Sequence, residues 1–122
     1  MDSSNVLEVK DLKSASPREI ADYIAQVLDS KKAKNISVVK VGDKTIIADY
    51  FVLACGNSGT HVNSLSGEVE YRLGLCGLDP VHTDGRESRN WTVLDYSSVI
   101  VHVFDREARE FYNLDKLYTD IG

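Results

Sequence analysis

Cysteine is scarce in this chain of 122 residues, which contains only Cys55 and Cys76. Two thiols so far apart in sequence match neither a disulfide framework nor the paired ligand spacing of a zinc site. Small domains held together by disulfides or by structural zinc are therefore excluded. Each cysteine ends an apolar segment, which favours buried, reduced thiols within an ordinary hydrophobic core.

Long apolar segments are also missing. No window approaches the roughly 20 apolar residues that a membrane-spanning helix needs. The N-terminal segment MDSSNVLEVKDLKSAS lacks a basic region followed by an apolar core, so the sequence predicts no signal peptide. We therefore expect a cytoplasmic protein with no membrane partner.

Positive charge is in deficit, with 14 lysines and arginines against 19 acidic residues and a formal net charge of −5. An acidic chain is poorly suited to binding phosphate backbones and better suited to a basic protein partner. This preference is small, because a mildly acidic surface is common among soluble proteins.

The length of the chain and its hydrophobic content of 43% predict a single globular domain. Residues 1–15 are polar and weakly patterned, and we expect them to form a loose N-terminal arm ahead of a domain over residues 16–122. The first helix is predicted to begin at Ser16, with Pro17 in its first position and Glu19 completing a capping box.

The remaining pattern predicts a mixed α/β fold in the order α-β-β-α-β-β-β-α, with a five-stranded sheet and two or three helices. Strands are expected over residues 35–41, 48–55, 78–83, 91–94 and 99–104. Thr60 is the predicted cap of the second helix, which Gly77 ends. Asp105 is the predicted cap of a last helix over residues 106–112, followed by a final turn packed by Leu114, Leu117 and Tyr118.

The two runs 91–94 and 99–104 flank a polar break, which is the pattern of a β-hairpin. Alternate residues of a strand point to opposite faces, and the second run is apolar on both: Val99, Val101 and Val103 on one, Ile100, His102 and Phe104 on the other. Two or three helices cannot fully cover both faces of five strands. We therefore expect part of one face to remain open at this hairpin.

Aromatic residues are concentrated between Trp91 and Tyr118. Tryptophan and tyrosine anchor protein interfaces because they bury a large area at a small entropic cost. We expect Trp91, Tyr96 and His102 at a contact surface, and Val101 and Phe111 in the core. An aromatic platform also suits single-stranded RNA, but no lysine or arginine lies between Trp91 and Asp105 to hold the phosphates.

The stretch WTVLDYSSVIVHVFDREAREFYNLDKLY resembles the C-terminal signature of the Iojap family, the ribosomal silencing factors. The segments ADYFVLACGNSGTHV and VHTDGRESRNW lie upstream in the order of that family, so the resemblance covers roughly residues 16–120. Two positions depart from the family pattern. Ser97 and Ser98 stand where a Gly-Asp turn is common, and Tyr118 stands where a tryptophan is common.

The resemblance implies a nucleotidyltransferase-like scaffold and a translational repressor rather than an enzyme, with no cofactor or metal. It implies binding to ribosomal protein L-fourteen of the large subunit, with little direct RNA contact, and a steric block to joining of the small subunit. We expect the contact to use six residues of the hairpin: Trp91, Leu94, Asp95, Tyr96, Ile100 and His102. A homodimer through the same hairpin is an alternative, because an open apolar face favours association.

Two other function classes remain as alternatives. A metal-dependent nucleotidyltransferase would use Ser58, Asp84 and Asp95. In this alternative, backbone N–H groups of the loop over residues 56–60 would hold an anion. That loop has no lysine of the phosphate-binding kind, and the strand with Asp84 carries His82 where a second carboxylate would stand. The third class is an RNA-binding module. The three histidines of the chain show no metal-ligand spacing.

Overall fold

The structure is a computed structural model, and it describes residues 8–85, 87 and 90–112, without the side chains of Phe111 and Tyr112. The element order is that predicted from the sequence. The predicted final turn with Leu114, Leu117 and Tyr118 lies outside the described residues. None of the helices in the described part of the chain is long and apolar enough to cross a membrane.

The first helix, α1, spans Pro17–Ser30 and begins as predicted. The Ser16 hydroxyl accepts a hydrogen bond from the Glu19 backbone N–H at 3.2 Å, and the Glu19 carboxylate accepts one from the Ser16 N–H at 3.1 Å. Both bonds satisfy donors that a helix start leaves without intrahelical partners, so this reciprocal pair fixes where α1 begins.

The second helix, α2, spans Gly59–Leu75 and begins earlier than predicted. Its cap is Ser58, whose extended backbone lets the hydroxyl accept a hydrogen bond from the His61 N–H at 3.1 Å. The prediction of Thr60 as the cap was wrong, since Thr60 already lies inside the helix. The prediction for the other end is confirmed: Gly77 adopts a φ of 91°, which ends the helix at a position that favours glycine.

Five strands form one mixed sheet in the order β1-β2-β5-β4-β3. The strands are β1 (Lys34–Lys40), β2 (Tyr50–Gly56), β3 (His82–Asp84), β4 (Trp91–Asp95) and β5 (Val99–Asp105). β2 and β5 are parallel, and the other neighbouring pairs are antiparallel. β3 is shorter than predicted: Leu78 is still bonded to the end of α2 through the Leu73 carbonyl, and Pro80 has no N–H to donate.

The predicted hairpin is formed by β4 and β5, whose register pairs Trp91 with Phe104 and Leu94 with Val101. Its turn places Ser97 at a φ of 74°, and the Asp95 carboxylate accepts a hydrogen bond from the Ser97 N–H at 2.7 Å. A side-chain acceptor of this kind stabilises the left-handed turn residue. The turn therefore forms with serine in place of the glycine that is common there.

One face of the sheet, here called the helix-covered face, packs against α1 and α2. Fully buried valines and leucines fill this layer, among them Val52, Leu65, Leu94 and Val101. Leu12 also lies in this core, and its N–H donates to the Cys76 carbonyl at 2.9 Å. Leu12 is thus packed against the domain within the described part of the predicted arm, whereas a loose arm over residues 1–15 stays a prediction.

The opposite face, here called the aromatic face, carries Phe51 on β2, Trp91 on β4, and His102 and Phe104 on β5. The last helix, α3 (Arg106–Tyr112), packs on it through Ala108 and is capped by the Asp105 carboxylate, which accepts from the Ala108 N–H at 2.8 Å. The two apolar faces predicted for β5 are confirmed, because alternate residues of this strand belong to the two separate cores.

Candidate partner-binding face

Trp91 and His102 form a hydrogen-bonded pair on the aromatic face. The Trp91 indole N–H donates to Nδ1 of His102 at 3.1 Å across the β4–β5 ladder. An indole nitrogen only donates, so Nδ1 of His102 is the acceptor and the neutral imidazole carries its proton on Nε2. The pair fixes both the tautomer of the histidine and the orientation of the tryptophan.

The two rings belong to a cluster that spans three strands. The ring centroids of Phe51 and His102 lie 4.7 Å apart, and those of Trp91 and Phe104 lie 5.2 Å apart in a stacked arrangement. Aromatic pairs at these separations stabilise neighbouring strands beyond their buried area. Trp91 is therefore held rigidly before any partner arrives, which lowers the entropy lost on binding.

Burial lowers the pKa of His102 to about 4. The cause is desolvation, which disfavours the charged imidazolium. The side chain is 7% exposed, and within the described residues its Nε2 has no hydrogen-bond partner. His102 is thus neutral near physiological pH and acts here as a buried acceptor for Trp91.

The exposed part of the aromatic face lies along β4 and the edge strand β3. Trp91, Val93 and Asp95 are half-buried on this face, whereas the residues between them are buried on the other side of the strand. Asp84 on β3 is paired with Val93 and is exposed. Trp91, Val93 and Asp95 together are here called the exposed row. Trp91 and Val93 make it apolar, and the carboxylates of Asp95 and of the neighbouring Asp84 give it negative charge.

The structure brings together only part of the predicted contact set. Trp91 and Asp95 lie on the exposed row, and Ile100 and His102 lie behind it on the same face with less than a tenth of their surface exposed. Leu94 and Tyr96 differ from expectation, because both are buried in the core against α1 and α2. A strand residue on the helix-covered face cannot contact a partner docked on the aromatic face.

Sequence reasoning missed several exposed or half-buried residues in or near this row. Val93 shares the face of Trp91, and the two-residue period of a strand was the signal that would have found it. Val81, just before β3, is 71% exposed, and Ile46 and Ile47 are exposed in the loop before β2. No local pattern identifies the two isoleucines; the structure places their loop beside the hairpin turn, since the Asp49 N–H donates to the Ser98 carbonyl at 2.8 Å.

The residues of the nucleotidyltransferase alternative are not brought together. Ser58 follows the end of β2 that lies beside Asp105, whereas Asp95 pairs with Ile100 toward the other end of β5. Asp105 and Ile100 are five residues apart along β5, which corresponds to roughly 16 Å. The Ser58, Asp84 and Asp95 oxygens each accept a local backbone hydrogen bond. Among the described residues, no group of three or more histidine, cysteine or acidic side chains is placed to hold a metal.

The family model described as "Ribosomal silencing factor during starvation" matches residues 14–122. The chain is 30% identical to the ribosomal silencing factor RsfS of Bacillus subtilis, over 84% of this chain and 87% of that protein. It is 31% identical to the mouse protein named mitochondrial assembly of ribosomal large subunit protein 1, over 80% of this chain and 44% of that protein.

Two solved structures share the fold. A crystal structure of a protein from Chromobacterium violaceum superposes with a TM-score of 0.82 at 28% identity, covering 84% of this chain and 86% of the other. A second, from Bacillus halodurans, gives a TM-score of 0.75 at 28% identity, covering 83% and 94%. The mixed five-stranded α/β fold is therefore confirmed, whereas the nucleotidyltransferase-like relationship stays a prediction.

Proposed function

The chain belongs to the ribosomal silencing factor family, and from that membership we propose that it represses translation by binding the large ribosomal subunit in the cytoplasm. Its partner there is ribosomal protein L-fourteen. The bound domain occupies space that the small subunit needs, so the two subunits do not join. This mechanism is steric and uses no catalysis, cofactor or metal.

The observation that supports this proposal best is the exposed row of the aromatic face. Its centre is apolar, its tryptophan is held in place by His102 and Phe104, and Asp84 and Asp95 provide negative charge beside it. Rigid aromatic anchors at the centre and polar groups at the rim are typical of protein interfaces. A basic protein surface complements the two carboxylates, which steer encounter and fix register more than they add affinity.

The six predicted contact residues take different roles in this proposal. Trp91 and Asp95 contact the partner directly. Ile100 and His102 support Trp91 from behind, as buried neighbours on the same face. Leu94 and Tyr96 act only through the fold, by anchoring β4 and its turn to the core beneath α1 and α2.

Sedimentation with purified large subunits, small subunits and joined ribosomes tests the proposal. We expect the protein to migrate with large subunits only and to reduce subunit joining. Truncation of a central anchor in Trp91→Ala should weaken binding by more than about 2 kcal/mol, or about 30-fold. Migration at the top of the gradient with every particle would reject ribosome binding.

Two further variants separate the contact from general damage to the fold. Val93→Arg adds a positive charge to the exposed row and keeps all four ring residues of the cluster, and it should repel a basic partner. Tyr71→Ala removes an exposed aromatic residue of α2 and is the matched control, because Tyr71 is 61% exposed and lies away from the aromatic face. Loss of binding in Tyr71→Ala but not in Val93→Arg would move the contact to α2.

A homodimer through the same row is the second candidate, because exposed apolar residues on a sheet favour self-association. Sedimentation velocity over a range of protein concentrations measures it directly. If Val93→Arg abolishes self-association and leaves binding to the large subunit intact, the row is a dimer interface and the ribosome contact lies elsewhere.

A further inference from the structure

A cleft of about 390 Å³ opens at the carboxyl end of β2, on the side of the sheet where β1 begins. Its lining comes from three parts of the chain: Lys34 and Asn35 of β1, Cys55 and Gly56 of β2 with the following Asn57, and Arg106 at the start of α3. The loop after β2 belongs to residues 56–60, the position of an anion in the nucleotidyltransferase alternative. The structure adds two cationic side chains to it from distant segments.

The cleft lies where the chain leaves two parallel strands in opposite directions. β2 and β5 are parallel neighbours that end side by side at Gly56 and Asp105. The helix that follows β2, α2, packs on the helix-covered face, whereas the helix that follows β5, α3, packs on the aromatic face. In open α/β sheets, the crevice at such a point is the usual position of a ligand.

The charge at this cleft is positive, whereas the net charge of the whole protein is negative. Lys34 and Arg106 are exposed, and within the described part of the chain neither side chain has an ion-pair partner. The adjacent carboxylate, Asp105, accepts the Ala108 N–H as the cap of α3. Two cations without carboxylate partners in a concave site attract an anion more strongly than the same cations on a flat surface.

A third cation lies beneath the lining. The Arg109 guanidinium donates to the Asn35 carbonyl, to Sγ of Cys55 at 3.6 Å and to Oγ of Ser37 at 3.1 Å. These bonds hold its charge against the wall formed by Asn35 and Cys55. The start of α2 contributes less, since the N–H groups of His61 and Val62 are already bonded to Ser58.

We propose that this cleft binds a phosphate group, with Lys34 and Arg106 as its direct ligands. Arginine and lysine are the side chains that recognise phosphate oxygens through charge-assisted hydrogen bonds. Arg109 is a positioning residue that supports the wall and adds positive potential. The phosphate belongs either to a free nucleotide or to the backbone of RNA, and the proposal is independent of binding to ribosomal protein L-fourteen.

Amide NMR titration of the full chain with inorganic phosphate, against sodium chloride at equal ionic strength, tests the site. We expect saturable shifts at Lys34, Asn35, Gly56, Asn57 and Arg106. In the Lys34→Gln, Arg106→Gln variant, phosphate should bind at least about tenfold more weakly. Shifts that never saturate, or that equal those in chloride, would overturn the proposal.

A matched control removes two positive charges at the other end of β1 and in the turn that follows it. Lys40→Gln, Lys44→Gln keeps the net charge of the test variant, and we expect its phosphate affinity to stay within about twofold of the parent, as for exposed charges away from a site. An equal loss in both variants would show a general charge effect and reject the cleft. Lys34→Arg, Arg106→Lys should retain binding, and its failure would also count against the assignment.

The source of the phosphate is identified by two further titrations, with adenosine monophosphate and with a ten-nucleotide single-stranded RNA. If RNA is the source, its binding should fall with salt, and the slope should drop by about 0.7 for each cation removed. If a nucleotide is the source, adenosine monophosphate should bind more tightly than inorganic phosphate, and the RNA affinity should not depend on Lys34 or Arg106. Either pattern supports a phosphate site.

Discussion

The two faces of the sheet are both apolar, but they differ in the side chains that form them and in how completely helices cover them. The helix-covered face is filled by aliphatic side chains under two long helices, and most of its members are completely buried. The aromatic face has one short helix, a hydrogen-bonded Trp–His pair and a half-buried row beside acidic residues. Close aliphatic packing under long helices stabilises a fold, whereas rigid, partly exposed rings suit the recognition role that we propose for the aromatic face.

The largest expected effect follows from a substitution on the helix-covered face. Leu94→Ala should lower the free energy of unfolding by about 2–5 kcal/mol, because it leaves a cavity in a fully buried site. Urea denaturation measures the change. The neighbouring Val93→Ala, on the aromatic face, is the control and should cost less, since Val93 is half-buried. Equal losses of unfolding free energy in the two variants would mean that the two faces contribute equally to stability.

Acid should act on the aromatic face through His102. Its pKa is about 4 in the folded chain and about 6.5 in an unfolded one, so between these values the unfolded state binds more protons. The contribution of His102 to the free energy of unfolding is therefore fully present above about pH 6.5. It is lost as the pH drops toward 4, by up to about 3 kcal/mol.

The control for this pH dependence is His102→Asn, whose amide oxygen preserves an acceptor for Trp91 but does not titrate. Urea denaturation at several pH values between 4 and 7 should show a steeper loss for the parent chain than for the variant. Parallel curves would mean that His102 is already accessible to protons in the folded protein.

Removing the N-terminal cap should affect the whole fold in α2, on the helix-covered face, but only the helix itself in α3, on the aromatic face. Ser58→Ala removes the cap of α2 and should lower global stability by about 1 kcal/mol. Asp105→Ala removes the cap of α3, a helix of seven residues that is too short to persist alone. We expect faster hydrogen exchange within α3 and little change in the amides of α2. Global destabilisation by Asp105→Ala instead would make α3 part of the cooperative core.

The smallest effect is expected at the edge of the exposed row. Asp95→Asn retains the acceptor for the Ser97 N–H but removes a negative charge. Affinity for the large subunit should fall by less than about 1 kcal/mol, mainly through a slower association rate whose salt dependence is also weaker. Stopped-flow binding at two ionic strengths measures both. A large change in the dissociation rate would place Asp95 at the centre of the contact.

Local signals in the sequence predicted much of the fold. The capping box at Ser16 located α1, Gly77 ended α2, and the two-sided apolar pattern of β5 identified an interior strand. Each of these signals depends on neighbours a few residues away, so the sequence carries it completely. The cap at Ser58 was missed because Ser58 and Thr60 are both good capping residues, and only the backbone conformation selects between them.

The candidate site was predicted less completely, and Leu94 shows why. In WTVLD the residues Val93 and Leu94 are equally apolar, so hydropathy does not say which of them faces the partner. The register with β5 puts Leu94 opposite Val101 and Val93 opposite His102, and that pairing assigns each to its face. A shift of one residue would exchange the two, which is why register decides the surface.

The sequence by itself determined the element order, the family and the aromatic character of the hairpin, because these follow from short-range patterns and from motifs that are contiguous in the chain. Only the tertiary structure decided which apolar residues are core and which are surface. It alone brought Trp91 onto His102, and Lys34 and Arg106 into one cleft. The physical reason is that strand pairing and helix placement set these distances, and both depend on the whole chain packing at once.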